Sequence, residues 1–219
     1  MVPIILILSA LSAVGASFLT PLNFRRDLNT TLPACSSTPQ ACICPNGTIF
    51  QTSSTYAVLR AKTRDVTGII SNFTNTAWMG TSPVSVGGNS THPVRSLQGE
   101  VDGAVIVTQE ILTEYVDYSG GAYLENKRPR EGFFERFELI GTPITYVGDN
   151  GPGLLAGAWD TIDVRKISEG ETLWIWGIYA CMSAALNFGQ IHRFAINNTS
   201  SVLEEAGKLR GETIGPFSI

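Results

Sequence analysis

Hydrophobic and polar residues alternate along much of the chain between residues 55 and 182, and a period of two residues predicts β-strands. The longest alternation follows the turn signal Asp102-Gly103 and runs from Ala104 to Tyr115, with one face more apolar than the other. Three further alternating segments, FFERFELIG, LAGAWDTIDVRKI and ETLWIWGIYACM, are separated by clusters of Gly, Pro and Asp. Together these segments predict a meander of antiparallel strands joined by hairpins.

Two other regions show the spacing of helices. After the first predicted strand, the segment that begins at Asp65 has apolar residues at helical intervals and predicts a pair of short helices. The chain closes with a helix predicted from about Ala184 to Arg210. The apolar stripe of this helix consists of Phe188, Ile191, Ala195, Val202, Ala206 and Leu209. A stripe this narrow indicates that one helix face is buried along its length.

These elements can all bury their apolar faces if the sheet curls around the last helix. We therefore predict an α+β fold in which a curved antiparallel sheet wraps around a long C-terminal helix, accompanied by two short helices. One helix cannot fill the whole concavity, so a pocket is expected between helix and sheet. The predicted domain covers residues 55–212, and residues 213–219 are predicted to be a tail.

The N-terminal segment has the pattern of a secretory signal peptide. Residues 1–16 contain an apolar run followed by small residues, with Val14 and Ala16 at the positions that signal peptidase reads. An uncleaved membrane anchor is the weaker interpretation, because the run is shorter than the roughly 20 residues that span a bilayer. Residues 17–54 lack a sustained period and predict an irregular arm. We expect a secreted protein, or one of the secretory lumen, without stable membrane insertion.

The four cysteines support an oxidising compartment. Cys42 and Cys44 are too close in sequence to bond each other, so Cys35 is expected to bond one of them and Cys181 the other. Either pairing would join the arm to the tryptophan-bearing strand. A zinc site is the alternative interpretation, but this spacing in an oxidising lumen favours disulfides, and we expect no metal.

Acceptor sequences for N-glycosylation also occur more often than chance predicts. The six N-x-[ST] sequences are at Asn29, Asn46, Asn72, Asn89, Asn197 and Asn198. On the predicted helix Asn197 points to solvent, whereas Asn198 lies closer to the buried stripe and is the poorer acceptor. The enrichment indicates a eukaryotic protein that passes through a glycosylating lumen.

Charge and motifs exclude several classes of function. The formal net charge of −4 provides no basic surface, so we expect no nucleic-acid partner. The sequence contains no nucleophile elbow, metalloprotease motif, P-loop or dinucleotide-binding fingerprint. We therefore expect no cofactor, and the sequence does not indicate an oligomeric state.

Polar residues inside the apolar strands are the candidates for chemistry, because a buried carboxylate must be paired or neutralised. Glu110, Glu138 and Asp160 are such residues, and Arg136 shares a strand face with Glu138. Each could instead be a solvated charge on the outer face of the sheet. His192 lies at the rim of the helix stripe, either as an acid or base or as a hydrogen-bonded structural residue.

Aromatic residues form a second candidate set, for binding an apolar ligand. Its members are Trp78, Tyr115, Phe134, Tyr146, Trp159, Trp174 and Trp176. Trp174 and Trp176 share one strand face, whereas Trp159 and Asp160 must point to opposite faces. A purely structural core role is the alternative for each of them. One face of the 173–182 strand is expected to meet the pocket and the helix, and the other to lie under the arm.

From about Ser54 to Arg210 the chain resembles the helix-grip superfamily of StAR-related lipid-transfer domains, the major birch pollen allergen and polyketide cyclase/dehydrase-like proteins. SNFTNTAWMG resembles the helix pair ending in Trp, and VTQEILTEY looks like the E-x-L strand. FELIGTPI is similar to the strand before a Pro turn, and ETLWIWGIYACM to the Trp-bearing strand before the long helix. The signal peptide, arm and glycosylation sequences depart from the common pattern and suggest a secreted fungal member.

The resemblance implies a pocket for a hydrophobic small molecule and a cofactor-independent cyclase, dehydratase or isomerase that acts in natural-product biosynthesis. Glu110, Arg136, Glu138 and His192 are then the catalytic candidates, with Tyr115 as a further polar group. Two other functions stay open: a carrier that holds a lipid or metabolite without chemistry, and an extracellular interaction protein whose core is filled.

Overall fold

The alternating segments form the strands of one antiparallel sheet, and the segments with helical spacing pack against it. The computed structural model describes residues 32–36, 40–120 and 131–219. In chain order the elements are β1 (Ile49–Leu59), α1 (Thr63–Ile70), a 3₁₀ turn (Ala77–Met79), β2 (Ser85–Gly88), β3 (Pro93–Val101), β4 (Ala104–Asp117), a second 3₁₀ turn (Tyr118–Gly120), β5 (Gly132–Ile140), β6 (Ile144–Gly148), β7 (Gly151–Ser168), β8 (Glu171–Met182), α2 (Phe188–Glu205) and β9 (Ile214–Ser218).

Within the described residues the sheet has nine strands, in the order β2-β3-β4-β5-β7-β8-β1-β9, while β6 pairs with the first part of β7. The consecutive pairs from β2 to β5 and from β7 to β8 are the predicted meander. The curved sheet holds α2, and α1 and the first 3₁₀ turn also contact this helix. The predicted α+β helix-grip architecture is confirmed.

The main core lies between the concave face of the sheet and the helices. Strand β8 alternates strictly, so that Trp174 and Trp176 are buried on the inner face while Tyr179 and Cys181 lie on the outer face. Ala195, Ile196 and Leu203 of α2 pack in the same hydrophobic cluster as the two tryptophans. Each large apolar side chain buried here contributes about 1.5–3 kcal/mol to stability.

Helix α2 is shorter than predicted, and its buried face is rotated toward His192. The helix begins after Asn187, whose side-chain oxygen accepts a hydrogen bond from the backbone N–H of Gln190 at 3.0 Å. Ile191 and Val202, expected in the buried stripe, are 44% and 38% exposed. The buried residues of α2 are Phe188, Gly189, His192, Ala195, Ile196, Thr199 and Leu203. The buried face therefore includes polar groups, and the spacing of apolar residues does not reveal these.

The C-terminal residues form β9, which pairs with β1, although the sequence predicted a tail there. Thr55 of β1 is opposite Ser218 of β9, and the two hydroxyl oxygens are 2.9 Å apart. The Gly215-Pro216 pair is typical of a turn, but proline is tolerated in an edge strand because one side of the strand has no partner.

One disulfide holds the arm to the outer face of β8, and a second closes a loop within the arm. Cys35 bonds Cys42 and Cys44 bonds Cys181, which is one of the two pairings that the sequence left open. The predicted signal peptide and Asn29 lie outside the described residues. In the part of the chain that the structure describes, no helix combines the length and apolar character required to cross a bilayer.

Candidate functional site

A cavity of about 400 Å³ lies between α2 and the concave face of the sheet. Its apolar wall is formed by Met79, Leu97, Val101, Ile106, Phe137, Leu139, Leu155, Ala158, Trp176, Ile178, Met182, Leu186, Phe188, Ile191, Phe194 and Ala195. Ile191 and Phe194 line the cavity and are also exposed, so they mark the mouth of the cavity. The volume is in the range of small-molecule binding sites in proteins.

The strand residues reach this cavity because alternate positions of β4, β7 and β8 share the inner face. Ile106 and Glu110 are such positions on β4, Ala158 and Asp160 on β7, and Trp176 on β8. The same periodicity that builds the apolar wall therefore places two carboxyl groups on it.

Asp160 is a buried carboxyl group without a cation at hydrogen-bond distance among the described residues. The indole N–H of Trp176 donates a hydrogen bond of 2.9 Å to one oxygen of Asp160. Burial raises the pKa of Asp160 well above its ordinary value and the nearby charge of Glu110 raises it further, whereas the indole hydrogen bond and the charge of Arg95 oppose this. These surroundings favour the protonated form of Asp160, which is a donor of a hydrogen bond or a proton.

Glu110 differs from Asp160 because it has a cationic partner. The Nε of Arg95, the residue opposite Glu110 on β3, donates a hydrogen bond of 2.7 Å to its carboxylate. Arg95 is fully buried, and its Nη1 donates to the carbonyl oxygen of Phe73 at 2.8 Å. The rings of Phe73 and Phe137 lie 4.2 and 4.8 Å from the guanidinium carbon. This ion pair fixes the Glu110 side chain on the cavity wall.

Glu135 is a buried carboxyl group that the sequence analysis did not select. It lies on the inner face of β5 between Phe133 and Phe137, and its side chain has no exposed surface. Burial raises the pKa of Glu135 to about 8, the charge of Arg95 opposes this, and the charge of Glu110 adds to it. The available signal was the alternation of FFERFEL, in which Glu135 is the polar member of the more apolar face.

His192 packs behind the cavity and is absent from its wall. Its ring stacks on Trp176 with 4.2 Å between centroids, and its Nδ1 is 3.1 Å from the hydroxyl oxygen of Thr55. Burial lowers the pKa of His192 to about 3, and the charge of Arg193 contributes in the same direction. The imidazole is therefore neutral, and it holds the indole that in turn donates to Asp160.

Arg136 and Glu138, two predicted catalytic residues, do not line the cavity. Strand β5 presents Phe133, Glu135 and Phe137 inward, so the alternate positions 136 and 138 lie on the outer face. Arg136 forms an ion pair with Glu114 at 3.0 Å, not with Glu138. Of the two placements that the sequence left open for Arg136 and Glu138, the structure shows the outer face, so neither is in position to act on a ligand in the cavity.

Of the seven predicted aromatic ligand-binding residues, Trp176 alone lines the cavity. Trp78 and Trp174 are buried beside it, with centroids 5.3 and 6.4 Å from that of Trp176, and they contribute to the core. Tyr146 is buried in the cluster of apolar residues at the cavity end of the sheet. The remaining three lie elsewhere: Tyr115 stacks on Phe133, Phe134 lies on the outer face, and Trp159 stacks on Tyr179.

Among the described residues, the side chains that cluster with the spacing of metal ligands are cysteines. The three ligand atoms of this cluster, within 4.8 Å of one another, are the sulfurs of Cys35, Cys44 and Cys181. These sulfurs are used in the two disulfides.

Comparison with solved structures supports the fold. The Zhui aromatase/cyclase from Streptomyces sp. R1128 superimposes with a TM-score of 0.50 and 11% identity, covering 74% of this chain and 99% of that one. Norcoclaurine synthase from Thalictrum flavum, in complex with dopamine and hydroxybenzaldehyde, gives a TM-score of 0.49 and 10% identity, covering 79% and 97%. No curated protein sequence matches the chain.

The sequence itself matches a known domain family. The family model described as START domain matches residues 50–219, which include every strand and helix from β1 to β9 except the first residue of β1. The match covers well over half of the chain, and the helix-grip architecture agrees with it. The chain therefore belongs to the START domain family.

Proposed function

We propose that this START domain binds an apolar small molecule that carries oxygen groups and promotes cyclisation, dehydration or isomerisation of that molecule. The observation that carries the proposal is the pair of carboxyl groups on one cavity wall, of which Glu110 is paired with Arg95 while Asp160 is buried and accepts a hydrogen bond from Trp176. Burial favours the protonated form of Asp160, and two carboxyls that differ in protonation are the arrangement expected for a general acid and a general base. The role would be that of a tailoring protein in natural-product biosynthesis.

The proposed chemistry for a dehydration is the following. Glu110 accepts the proton from the carbon next to a ligand carbonyl, and the electrons of that C–H bond form the new double bond. The hydroxyl on the next carbon leaves as water with the proton of Asp160. Glu110 ends protonated and Asp160 ionised, and exchange with water restores both. Each positioned proton transfer contributes about 10²–10⁴ to the rate.

The remaining walls would hold the ligand in a reactive conformation. Phe137, Trp176 and Phe188 add aromatic surface to the same cavity, and the apolar part of the wall is otherwise mainly aliphatic. Such walls exclude water from the reacting atoms and restrict the rotations of a flexible ligand, which lowers the entropy lost in reaching the transition state.

A carrier function is the second candidate. Arg95 already satisfies Glu110, and most residues of the wall are apolar, which is also what a site that only stores a ligand requires. In that case Asp160 and Glu110 would orient the ligand by hydrogen bonds and remain in their resting protonation states.

The two candidates separate in one experiment with 4-hydroxy-4-phenylbutan-2-one, a β-hydroxyketone whose dehydration product absorbs in the near ultraviolet. Binding is measured by calorimetry and dehydration by absorbance, for wild type, Asp160→Asn, Glu110→Gln and the outer-face control Glu138→Gln. A catalyst turns over the ketone, and the two cavity variants lose about 10²-fold or more in rate while Glu138→Gln does not. Binding without product supports the carrier, and absence of binding overturns both candidates.

We also propose that the protein works in the secretory lumen or outside the cell. The two disulfides support this location, since such bonds persist in oxidising compartments. Of the five acceptors expected to carry glycans, the four in the described part of the chain, Asn46, Asn72, Asn89 and Asn197, are exposed. The amide of Asn198 instead donates to the carbonyl oxygens of Ala77 and Trp78. A loss of mass after enzymatic removal of N-glycans from protein secreted by its host would test the proposal.

A further inference from the structure

Three buried polar atoms next to the cavity have no hydrogen-bond partner among the described residues. They are Nη2 of Arg95 and both carboxyl oxygens of Glu135. Both side chains have no exposed surface. Leaving buried polar atoms unpaired costs about 1–3 kcal/mol per group, so a second arrangement that pairs them is energetically accessible.

Arg95 is the one cation shared by three carboxyl groups. Its Nε bonds Glu110, and its charge acts on Glu135 and on Asp160. If all three carboxyls were ionised, the cluster would carry two uncompensated negative charges in a buried environment, which is strongly disfavoured. The resting cluster therefore holds one carboxylate, Glu110, and two protonated carboxyls.

We propose that Glu135 is a positioning residue for the proposed reaction: when Glu110 accepts a proton from the ligand, Arg95 pairs with Glu135, and Glu135 releases its own proton. The inference rests on the proposed function, since it needs Glu110 to be the proton acceptor. In the dehydration itself one proton enters the cluster at Glu110 and one leaves from Asp160 with the departing water. Asp160 then regains a proton from water while Glu135 releases one, so the cluster again holds one guanidinium and one carboxylate.

We place the exit of the released proton at Tyr115, which is partly exposed and does not line the cavity. Tyr115 is the residue opposite Glu135 in the β4–β5 pairing, and its side chain is 43% exposed. Neither Glu135 nor Tyr115 lines the cavity. Proton exchange on this side therefore leaves Asp160 and the ligand undisturbed.

The groups around Glu135 determine whether protonation of Glu110 makes Glu135 more or less acidic. The groups that face Glu135 or act on it electrostatically are Arg95 of β3, Glu110 and Tyr115 of β4, and Asp160 of β7. Its neighbours on β5 lie on the outer face. Protonation of Glu110 removes a negative charge and frees the guanidinium of Arg95. Both changes favour the ionised form of Glu135.

The test uses the whole protein with ¹³C-labelled glutamate side chains and no ligand. The carboxyl resonance of Glu135, identified by its loss in Glu135→Gln, is followed against pH by NMR. Glu110→Gln mimics protonated Glu110, so Glu135 should become more acidic by about tenfold. The control Glu138→Gln, on the outer face of the same strand, should leave the titration of Glu135 unchanged.

An unchanged titration of Glu135 in Glu110→Gln would overturn the inference. Failure of Glu110→Gln to fold would overturn it as well, because Glu135 is expected to replace the missing carboxylate beside Arg95. The double variant Glu110→Gln/Glu135→Gln leaves Arg95 without a carboxylate and should be destabilised by more than the sum of the single variants. Since these measurements involve no ligand, their failure is separate from failure of the β-hydroxyketone experiment.

Discussion

Three carboxyl groups on the inner face of the sheet differ in their polar contacts. Glu110 has a guanidinium at hydrogen-bond distance, Asp160 has one indole N–H, and Glu135 has no hydrogen-bond partner among the described residues. Burial therefore raises the pKa values of Asp160 and Glu135, whereas Glu110 is compensated by its ion pair. The division of roles between acid and base follows from these contacts.

The raised pKa of Glu135 predicts a measurable dependence of stability on pH. Between about pH 4.5 and 8 the unfolded chain ionises this carboxyl while the folded protein retains the proton, so stability falls as pH rises through this interval. In Glu135→Gln this contribution is absent, and the fall in the free energy of unfolding should be smaller by roughly 2–4 kcal/mol. Urea denaturation at pH 5 and pH 8 checks this, and parallel curves for the two proteins would contradict it.

The lowered pKa of His192 predicts that stability rises with pH in the acidic range, opposite to the dependence expected from Glu135. The pKa of this histidine is lowered to about 3, so below about pH 6.5 the unfolded chain binds a proton that the folded protein does not, and stability is lost as pH falls. His192→Gln should lose less stability between pH 7 and pH 4, by roughly 2–3 kcal/mol. Denaturation of both proteins at each pH measures the difference, with the exposed His92→Gln as the control variant.

For single residues, the sequence predicts which carboxyl groups lie within apolar strands. It does not predict which face of the sheet each of them points to, because that depends on the register of strand pairing. Glu110 and Asp160 lie on the cavity wall, whereas Arg136 and Glu138 lie outside because β5 buries its more apolar alternate face. Beyond the register shift after Leu112, the inward position passes from even to odd residues, so Tyr115 lies opposite Glu135. A local irregularity of this kind leaves no clear signal in the hydrophobic pattern.

Among the elements, the long strands and α1 could be predicted because their apolar periods are strong, whereas the second of the two predicted short helices is only the 3₁₀ turn Ala77–Met79. The buried face of α2 could not be predicted, since His192 and Thr199 are buried through hydrogen bonds to Thr55 and to the backbone of Ala195. Strand β9 was missed because its own residues show no alternation of apolar and polar positions. It is stabilised instead by pairing with β1, which is a long-range contact.

The two disulfides should contribute unequally to stability. The Cys44–Cys181 bond closes a segment with a sequence separation of 137 residues, whereas Cys35–Cys42 has a separation of 7. A longer closed loop removes more conformational entropy from the unfolded chain, so replacing Cys44 and Cys181 by Ala should cost about 2 kcal/mol more than replacing the other pair. Denaturation of the two double variants under oxidising conditions measures this, and equal losses would contradict it.

The whole molecule combines a sheet that grips one helix with a cavity that this helix does not fill. The sequence predicted this arrangement from the number and order of elements, and the 400 Å³ cavity is its consequence. The polar character of the wall is a property of the assembled fold, because its members come from strands that are distant in the chain.

The charge of this wall predicts which ligands the cavity accepts. Glu100, Glu110 and Asp160 line it, and the described residues of the lining include no Lys, Arg or His. Arg95, the cation that bonds Glu110, is fully buried and does not line the cavity, and its Nε and Nη1 are bound to Glu110 and to the carbonyl oxygen of Phe73. A ligand carboxylate would therefore lose its hydration without gaining a cationic partner, which is unfavourable.

We expect a neutral ketone to bind more tightly than a carboxylate of the same shape. At pH 7, 2-acetylnaphthalene should bind at least about tenfold more tightly than 2-naphthoate, because the carboxylate is repelled by Glu110 and desolvated without compensation. The preference should decrease in Glu110→Gln, which removes that charge, and stay unchanged in Glu114→Gln, whose residue pairs with Arg136 outside the cavity. Calorimetry with both ligands measures the ratio, and tighter binding of the naphthoate would mean that a cation reaches the cavity.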